Sequence, residues 1–323
     1  MNNNLNPKTK ILKPTKILVT GAKGQLGKKI IELMAADFDL VLTDSDNMDI
    51  TDKLQVHKVI KLERPDFIIH GAAYTAVDKA EDNEEICRKV NALGTKNIAE
   101  TAKEFNIPLI YISTDYVFDG KKEIPYRETD ATNPLSVYGQ TKLEGEKFIE
   151  QICDKYYIIR SAWIFGELPE NHPGTNFVET MIRLSKEKDS LSIINDQIGS
   201  PTYTGDLVEI IRQIIRAQDL GLRASVISQN LNPKTQNLSP KPQVPYGLYH
   251  FSGTGACSWY DFAKEIFKQT NTKIKLNPVT SDQYPQKAKR PAYSYMDKSK
   301  IEKALGVLVR LWQEMLAEYL EKR

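Results

Sequence analysis

At 323 residues, 41% of them apolar and 27% charged, the chain can bury a sizeable core and divides more readily into two lobes than one. Its 44 basic and 42 acidic side chains leave a formal charge of +2, not gathered into a block that would follow a nucleic-acid backbone, so DNA and RNA are not expected partners. No run approaches the ~18 apolar residues of a membrane span, and the opening MNNNLNPKTKILKPTK has no apolar secretion core, so a cytoplasmic protein without a membrane partner is expected.

Residues 1–15 read as a flexible polar tail. From Lys16 a short apolar run, a turn and a helical period alternate: KILVTG (16–21) is a predicted strand, KGQLGKKIIELMAA (23–36) a helix, FDLVLTD (38–44) a strand, DKLQVHKVIKLER (52–64) a helix and PDFIIHGA (65–72) a strand. One long helix is predicted over 83–106, then the strand IPLIYIS (107–113), a helix over 138–152 and the strand YYIIRSAWIFG (156–166). Strands that are apolar on both faces, joined by helices of three- to four-residue period, predict a doubly wound parallel α/β sheet of Rossmann type over 16–165.

Beyond Gly166 the rhythm breaks, and 166–323 reads as a smaller α/β substrate lobe. Its segment GDLVEIIRQIIRAQ (205–218) is amphipathic enough to return to the first domain. The Pro-, Asn-, Gln- and Ser-rich stretch 223–246 reads as a mobile insertion. It carries a second copy of NLNPKT, found first at 4–9. Cys87, Cys153 and Cys257 are far apart, which suggests buried free thiols rather than a disulfide framework or a metal site.

GAKGQLG places Gly21, Gly24 and Gly27 between a strand and a helix. Glycines there allow a tight turn, close approach of backbone to a pyrophosphate, and close packing of helix on strand. Asp44 ends the second strand, 20 residues after Gly24. A carboxylate there bonds ribose hydroxyls and repels a 2′-phosphate, and Ser45, not an arginine, follows it. NADH is therefore the expected cofactor and NADPH the alternative. Asp49, soon after, is a second acid for the adenine side.

In YGQTK, Tyr138 and Lys142 are four residues apart near a helix start, hence on one face. An ammonium within reach is expected to stabilise the phenolate and lower the phenol's pKa, making tyrosine a usable proton donor to a carbonyl oxygen. His70, in a strand pattern, reads as a satisfied core histidine. Trp163 reads as a core aromatic at a strand end unless a ligand claims it. Asp78, Lys79 and Glu81 are expected to carry charge to solvent, and Arg290 to sit in a solvated loop or on a phosphate.

Taken together, GAKGQLG, HGAAYTAVDKAE, VNALGTKNIAE, STDYVFDG, ETDATNPLSVYGQTKLEGE, RSAWIFG, NFVETMIRLSKE and INDQIGSPTY resemble the extended short-chain dehydrogenase/reductase family, in particular its reductases of nucleotide-linked sugars. The resemblance implies hydride transfer from NAD(P)H to C4 of a dTDP-4-keto-6-deoxy sugar. Tyr138 would donate the proton, Lys142 would tune it and bond the ribose, and Thr114 would bond the substrate oxygen. Gly24, Gln25 and Leu26 would line the pyrophosphate, Asp49 and Ile50 the adenine, and Ala73, Tyr74, Thr75 and Ile112 the remaining cofactor wall. Thr114, Asp115 and Trp163 would meet the sugar nucleotide, and Asn91 would support the lysine through water.

Some relatives hold a divalent ion at a dimer contact through carboxylates, one of them just after the glycine loop. Lys28 and Lys29 stand there in this chain, so no metal is expected, and either a monomer or a homodimer is consistent. A dehydratase of this family would want Glu directly after Asp115, where this chain has Tyr116. A 4-epimerase and a non-catalytic subunit resembling that of methionine adenosyltransferase are the remaining alternatives.

Overall fold

Leu18 of the first strand faces one core while Ile17 and Val19 face another, and the same alternation recurs at Ile68 against Phe67 and Ile69. A strand buried on both sides belongs inside a sheet covered by helices on both faces. In this computed structural model, which describes residues 14–170, 174–230 and 244–323, those strands form one six-stranded parallel sheet. They are β1 (Lys16–Thr20), β2 (Asp39–Thr43), β3 (Phe67–His70), β4 (Leu109–Thr114), β5 (Tyr156–Ser161) and β6 (Gly247–Phe251). Their spatial order is β6-β5-β4-β3-β1-β2. The winding reverses between β1 and β3, and a crevice opens beyond their carboxyl ends, the usual ligand position in such sheets.

One face is covered by α1 (Gln25–Met34) and α5 (Thr204–Asn230), through Ile30, Met34, Leu207, Ile211 and Ile215. The other is covered by α2 (Lys53–Glu63), α3 (Thr95–Glu104) and α4 (Val137–Ile152), through Val56, Ile60, Ile98, Ala99 and Ile149. Asp52 caps α2 by accepting from the Leu54 and Gln55 N–H groups, and Ser136 caps α4 by accepting from Gly139 N. Each satisfies amides that a helix start leaves without partners.

Two predicted elements are broken. The helix expected over 83–106 is a short α-helix at Glu84–Arg88, a π turn at Lys89–Gly94 and then α3. The strand expected over 156–166 stops at Ser161, because Trp163 takes a left-handed φ of +47° before a two-residue strand, Ile164–Phe165. Periodicity registers neither feature, since a π turn adds a residue without changing composition.

Past Gly166 the chain forms short strand pairs, Ser190–Ile194 with Lys275–Val279 and Ile198–Gly199 with Cys257–Ser258. Helices Phe177–Glu187 and Trp259–Gln269 pack on them. Phe177, Trp259, Phe262, Trp312 and Tyr319 join the core of one sheet face. Of the stretch 223–246, residues 223–230 continue α5 and 231–243 lie outside the described residues, as do the first NLNPKT and nearly all of the second. Cys87, Cys153 and Cys257 are buried and free. Among the described residues no helix is long and apolar enough to cross a membrane.

Gly27 sets how closely α1 approaches the glycine loop, for a β-carbon there would run into the Ala22 carbonyl. Gly27→Ala is therefore expected to cost roughly 1–3 kcal/mol through forced backbone displacement, read by urea unfolding. An unchanged midpoint would show that the contact is not tight.

Candidate active site

A cleft of about 620 Å³ lies where the sheet reverses, and it gathers Gly21, Gly24, Gln25, Leu26, Asp44, Asp49, Ile50, Ala73, Thr75, Ile112, Tyr138 and Lys142. The turn into it is made by Gly21 at φ +71°, where a β-carbon would also lie 2.8 Å from Ala72 N. Gly24 N-caps α1 without a side-chain oxygen, and the first turn of that helix carries no acid. The uncapped start of α1 thus offers amide donors and a positive dipole end beside the cleft, the arrangement that receives a phosphate. At the outer rim Asp44 accepts from Lys23 N at 3.0 Å and Ser45 N at 2.8 Å, and the Lys23 ammonium pairs with Asp46 at 2.7 Å. Asp49 turns its carboxylate to its own loop, accepting from Thr51 N at 2.8 Å. Glycine cradle, open helix start and acidic rim fit a dinucleotide.

The inner end is built by β4 and α4. Tyr138 and Lys142 both reach the cleft from α4, next to Ile112 and Ser113 of β4. Lys142 is buried; its Nζ donates to the Ile112 carbonyl at 2.8 Å and stands 4.0 Å from the Tyr111 ring centre. Burial pushes its pKa down to about 7. The Tyr138 phenol is pushed the opposite way, upward, by burial, while a hydrogen bond with Thr114 opposes that rise. This corrects the expectation of a lowered phenol: the lysine's hydrogen bond goes to a carbonyl, and desolvation dominates. Tyr138 is thus held as a neutral O–H, the form that can give a proton.

Five predicted residues stand outside the cleft wall. Gly27 is spent on helix packing, as above. Tyr74 presents its backbone to Asn91, whose Oδ1 accepts from Tyr74 N at 2.7 Å. Thr114, at the end of β4, caps the turn that follows by accepting from Tyr116 N, and its hydroxyl donates to Asp115 at 3.1 Å. Asp115 is buried, accepts from Ser294 Oγ at 2.6 Å, and is pushed up to about 6 by desolvation. Trp163 stacks on Trp259 with ring centres 3.6 Å apart. Asp115 and Trp163 are thus fixed in place by partners from the late chain, Ser294 and Trp259.

The Asn91 Nδ2 donates to Tyr74 O, Cys87 Sγ and Thr141 Oγ1. It ties the loop after β3 to α4. His70, as expected, is a satisfied core residue. Thr95 Oγ1 already donates to Asn91 O, so His70 Nε2 donates to Thr95 and His70 Nδ1 accepts from Thr20 Oγ1. That neutral tautomer agrees with burial holding its pKa down near about 3.

Several contributors escaped the sequence reading. Lys23, Met48, Val90, Ile164, Leu168 and Thr175 also line the cleft, the last three from chain beyond β5. Arg290 is neither in a solvated loop nor, in this structure, free for a phosphate: it holds Asp78 through two bonds of 3.1 and 2.8 Å. It also pairs with Tyr116, whose ring meets that of Tyr138 edge-on at 5.7 Å. Glu81 accepts from Val137 N at 2.9 Å rather than facing only solvent. No local motif announces contacts between residues about 210 positions apart; only Lys23, inside the glycine loop, carried a readable signal.

Known proteins resemble the chain over nearly its whole length. The chain is 39% identical to a dTDP-4-dehydrorhamnose reductase of Aggregatibacter actinomycetemcomitans, over 93% of this chain and 97% of that one. A crystal structure of a dTDP-4-dehydrorhamnose reductase from Clostridium acetobutylicum superposes with a TM-score of 0.83 at 40% identity, covering 95% of this chain and 99% of the other. The Bacillus anthracis dTDP-4-dehydrorhamnose reductase, solved in complex with NADP, also gives a TM-score of 0.83, at 36% identity, covering 96% and 100%. Residues 15–323 match the family described as RmlD substrate binding domain. By that match and those identities, the chain belongs to this family within the extended short-chain dehydrogenase/reductases.

Proposed function

We propose that this chain is an NAD(P)H-dependent oxidoreductase that reduces the C4 ketone of dTDP-4-dehydrorhamnose to give dTDP-L-rhamnose. The observation that carries the reading is that one cleft joins the glycine loop and uncapped α1 to a neutral, half-buried Tyr138 and a buried Lys142. The relatives' names supply the substrate. NAD(P)H supplies the hydride. The protein's part is alignment and proton supply.

Gly24, Gln25 and Leu26 present backbone to the pyrophosphate, and Ile50 and Val90 supply apolar wall near Asp49. Lys142, anchored on the Ile112 carbonyl, offers its remaining N–H donors to ribose hydroxyls. Tyr138 gives its proton as the ketone oxygen becomes an alkoxide, a stronger base than phenolate, so the raised phenol pKa is no obstacle. Thr114, hydrogen-bonded to Tyr138, orients that hydroxyl. Asp115 and Ser294 join the end of β4 to the late chain, and with Trp163 they shape the sugar side at one remove.

Asp44 supports NADH, but Lys23 beside it supports NADPH as well: its exposed ammonium can leave Asp46 for a 2′-phosphate. Asp44→Ala is expected to shift the ratio of kcat/KM values toward NADPH about tenfold, since one repulsive contact is worth roughly 1–2 kcal/mol. An unchanged ratio would remove Asp44 from cofactor choice.

Purified protein given NADH and dTDP-4-dehydrorhamnose should consume nicotinamide absorbance and yield dTDP-L-rhamnose by NMR. No product with this sugar would refute the assignment. Tyr138→Phe is expected to lower kcat by at least about 10²-fold, the lower end for a lost general acid, with NADH affinity nearly intact; most of the rate surviving would exclude Tyr138 as donor. With Lys142 pushed down to about 7, its ammonium persists below that pH and is lost above it. The free enzyme's kcat/KM should therefore hold on the acid side and fall as pH rises through about 7. A flat profile from about pH 6 to 9 would refute the charge requirement.

A further inference from the structure

Behind Lys142 lies a second set of charges that the reaction above does not use. Glu146 is one helical turn further along α4, on the same face, and only 1% of its surface is exposed. Its carboxylate is held from two strands. Arg160 of β5 donates Nε to Oε1 at 2.9 Å and Nη2 to Oε2 at 2.6 Å, while Ser113 of β4 donates Oγ to Oε1 at 2.5 Å. Arg160 is itself buried, with its guanidinium 5.2 Å from the Phe118 ring centre, and its Nη1 has no hydrogen-bond partner among the described residues. A buried ion pair is a poor stabiliser compared with apolar packing. Stability alone does not account for placing one here.

The surroundings of Lys142 indicate what it does. His70 faces the lysine from β3 and is neutral by its hydrogen bonds. Tyr111 from β4 and Cys87 from the helix at Glu84–Arg88 are buried, Tyr138 from α4 is half-buried, and all three are pushed toward their neutral forms. Arg160 is engaged with Glu146 through its Nε and Nη2. Glu146 is the one anion in this set, and Lys142 makes no salt bridge with any carboxylate among the described residues.

We infer that Glu146, locked in place by Arg160 and Ser113, is the counter-charge that keeps Lys142 an ammonium, and is thereby a positioning residue for proton transfer. The lock matters as much as the charge. A carboxylate free to swing would bond the lysine directly and occupy donors that a ligand needs. Held by Arg160, Glu146 lends its field and leaves the lysine's hydrogen bonds to Ile112 and the cleft. Burial drives the lysine toward neutrality and Glu146 opposes it.

The inference rests on Lys142 acting as the cationic tuner and ribose anchor of the proposed reductase, so its test includes a readout that needs no sugar. NADH affinity, followed by fluorescence across pH, should weaken as Lys142 loses its proton. In Glu146→Gln that weakening, and the basic limb of kcat/KM, should both move down by about one pH unit, giving about a tenfold loss of activity on the basic side and little loss on the acid side. Should the single variant fail to fold with Arg160 left unpaired, Glu146→Gln combined with Arg160→Met removes both buried charges and is expected to shift the profiles in the same direction. Variant profiles that superimpose on the wild type, flat or sloping, would overturn the inference, as would a uniform loss at every pH, which marks a merely structural role. A chain that binds NADH but turns over no keto sugar would instead refute the reductase assignment and leave the affinity profiles to judge Glu146.

Discussion

Helix α4 lies so close to its neighbours that two of its positions have no room for a β-carbon. One placed at Gly139 would run into the Tyr116 carbonyl, and one at Gly145 would come within 2.7 Å of both the Asn91 carbonyl and the Tyr111 hydroxyl. Such contact brings Tyr138 edge-on to Tyr116 and buries Lys142 against Ile112. It also sinks Glu146 between two strands. The chemistry of the site is therefore largely a consequence of one tight helix-on-sheet contact, because desolvation sets the protonation state of each group it encloses.

The same closeness explains the π turn at Lys89–Gly94. The extra residue there places Asn91 where its side chain meets Tyr74 and Thr141 at once, while its carbonyl accepts from Thr95. One amide thus holds the loop after β3 to the catalytic helix, and His70 ties that loop's strand to β1 and α3. Most of these bonds are buried, where an unmade hydrogen bond is costly, so they specify a single arrangement of the cleft's inner end.

Charge is handled differently at the two ends. At the cofactor's outer rim, Lys23, Asp44 and Asp46 are exposed to solvent, where their mutual attractions are screened and can be exchanged for a ligand's. At the inner end Glu146 and Arg160 are sealed from water and cannot be exchanged. Farther along, Arg290 with Asp78 and Lys287 with Asp82 join the late chain to the loop after β3. Those pairs fasten the second region over the phenol end of the site.

The sequence alone determined the parallel sheet, the glycine turn and the pairing of Tyr138 with Lys142, because each rests on local pattern: continuous apolar runs in strands, period 3.6 in helices, and glycine where backbone must come close. It placed Asp44 at the cleft for the same reason, as a residue at the carboxyl end of a strand, and the family resemblance placed Ile112 there. What it could not carry were contacts spanning the chain. Asp115 meets Ser294, 179 residues away; Trp163 stacks on Trp259, and Arg290 holds Asp78. Protonation states also lay beyond it. Spacing put an ammonium near a phenol and suggested a lowered pKa, whereas only the packed structure shows how far each is withdrawn from water, and that desolvation raises the one and lowers the other.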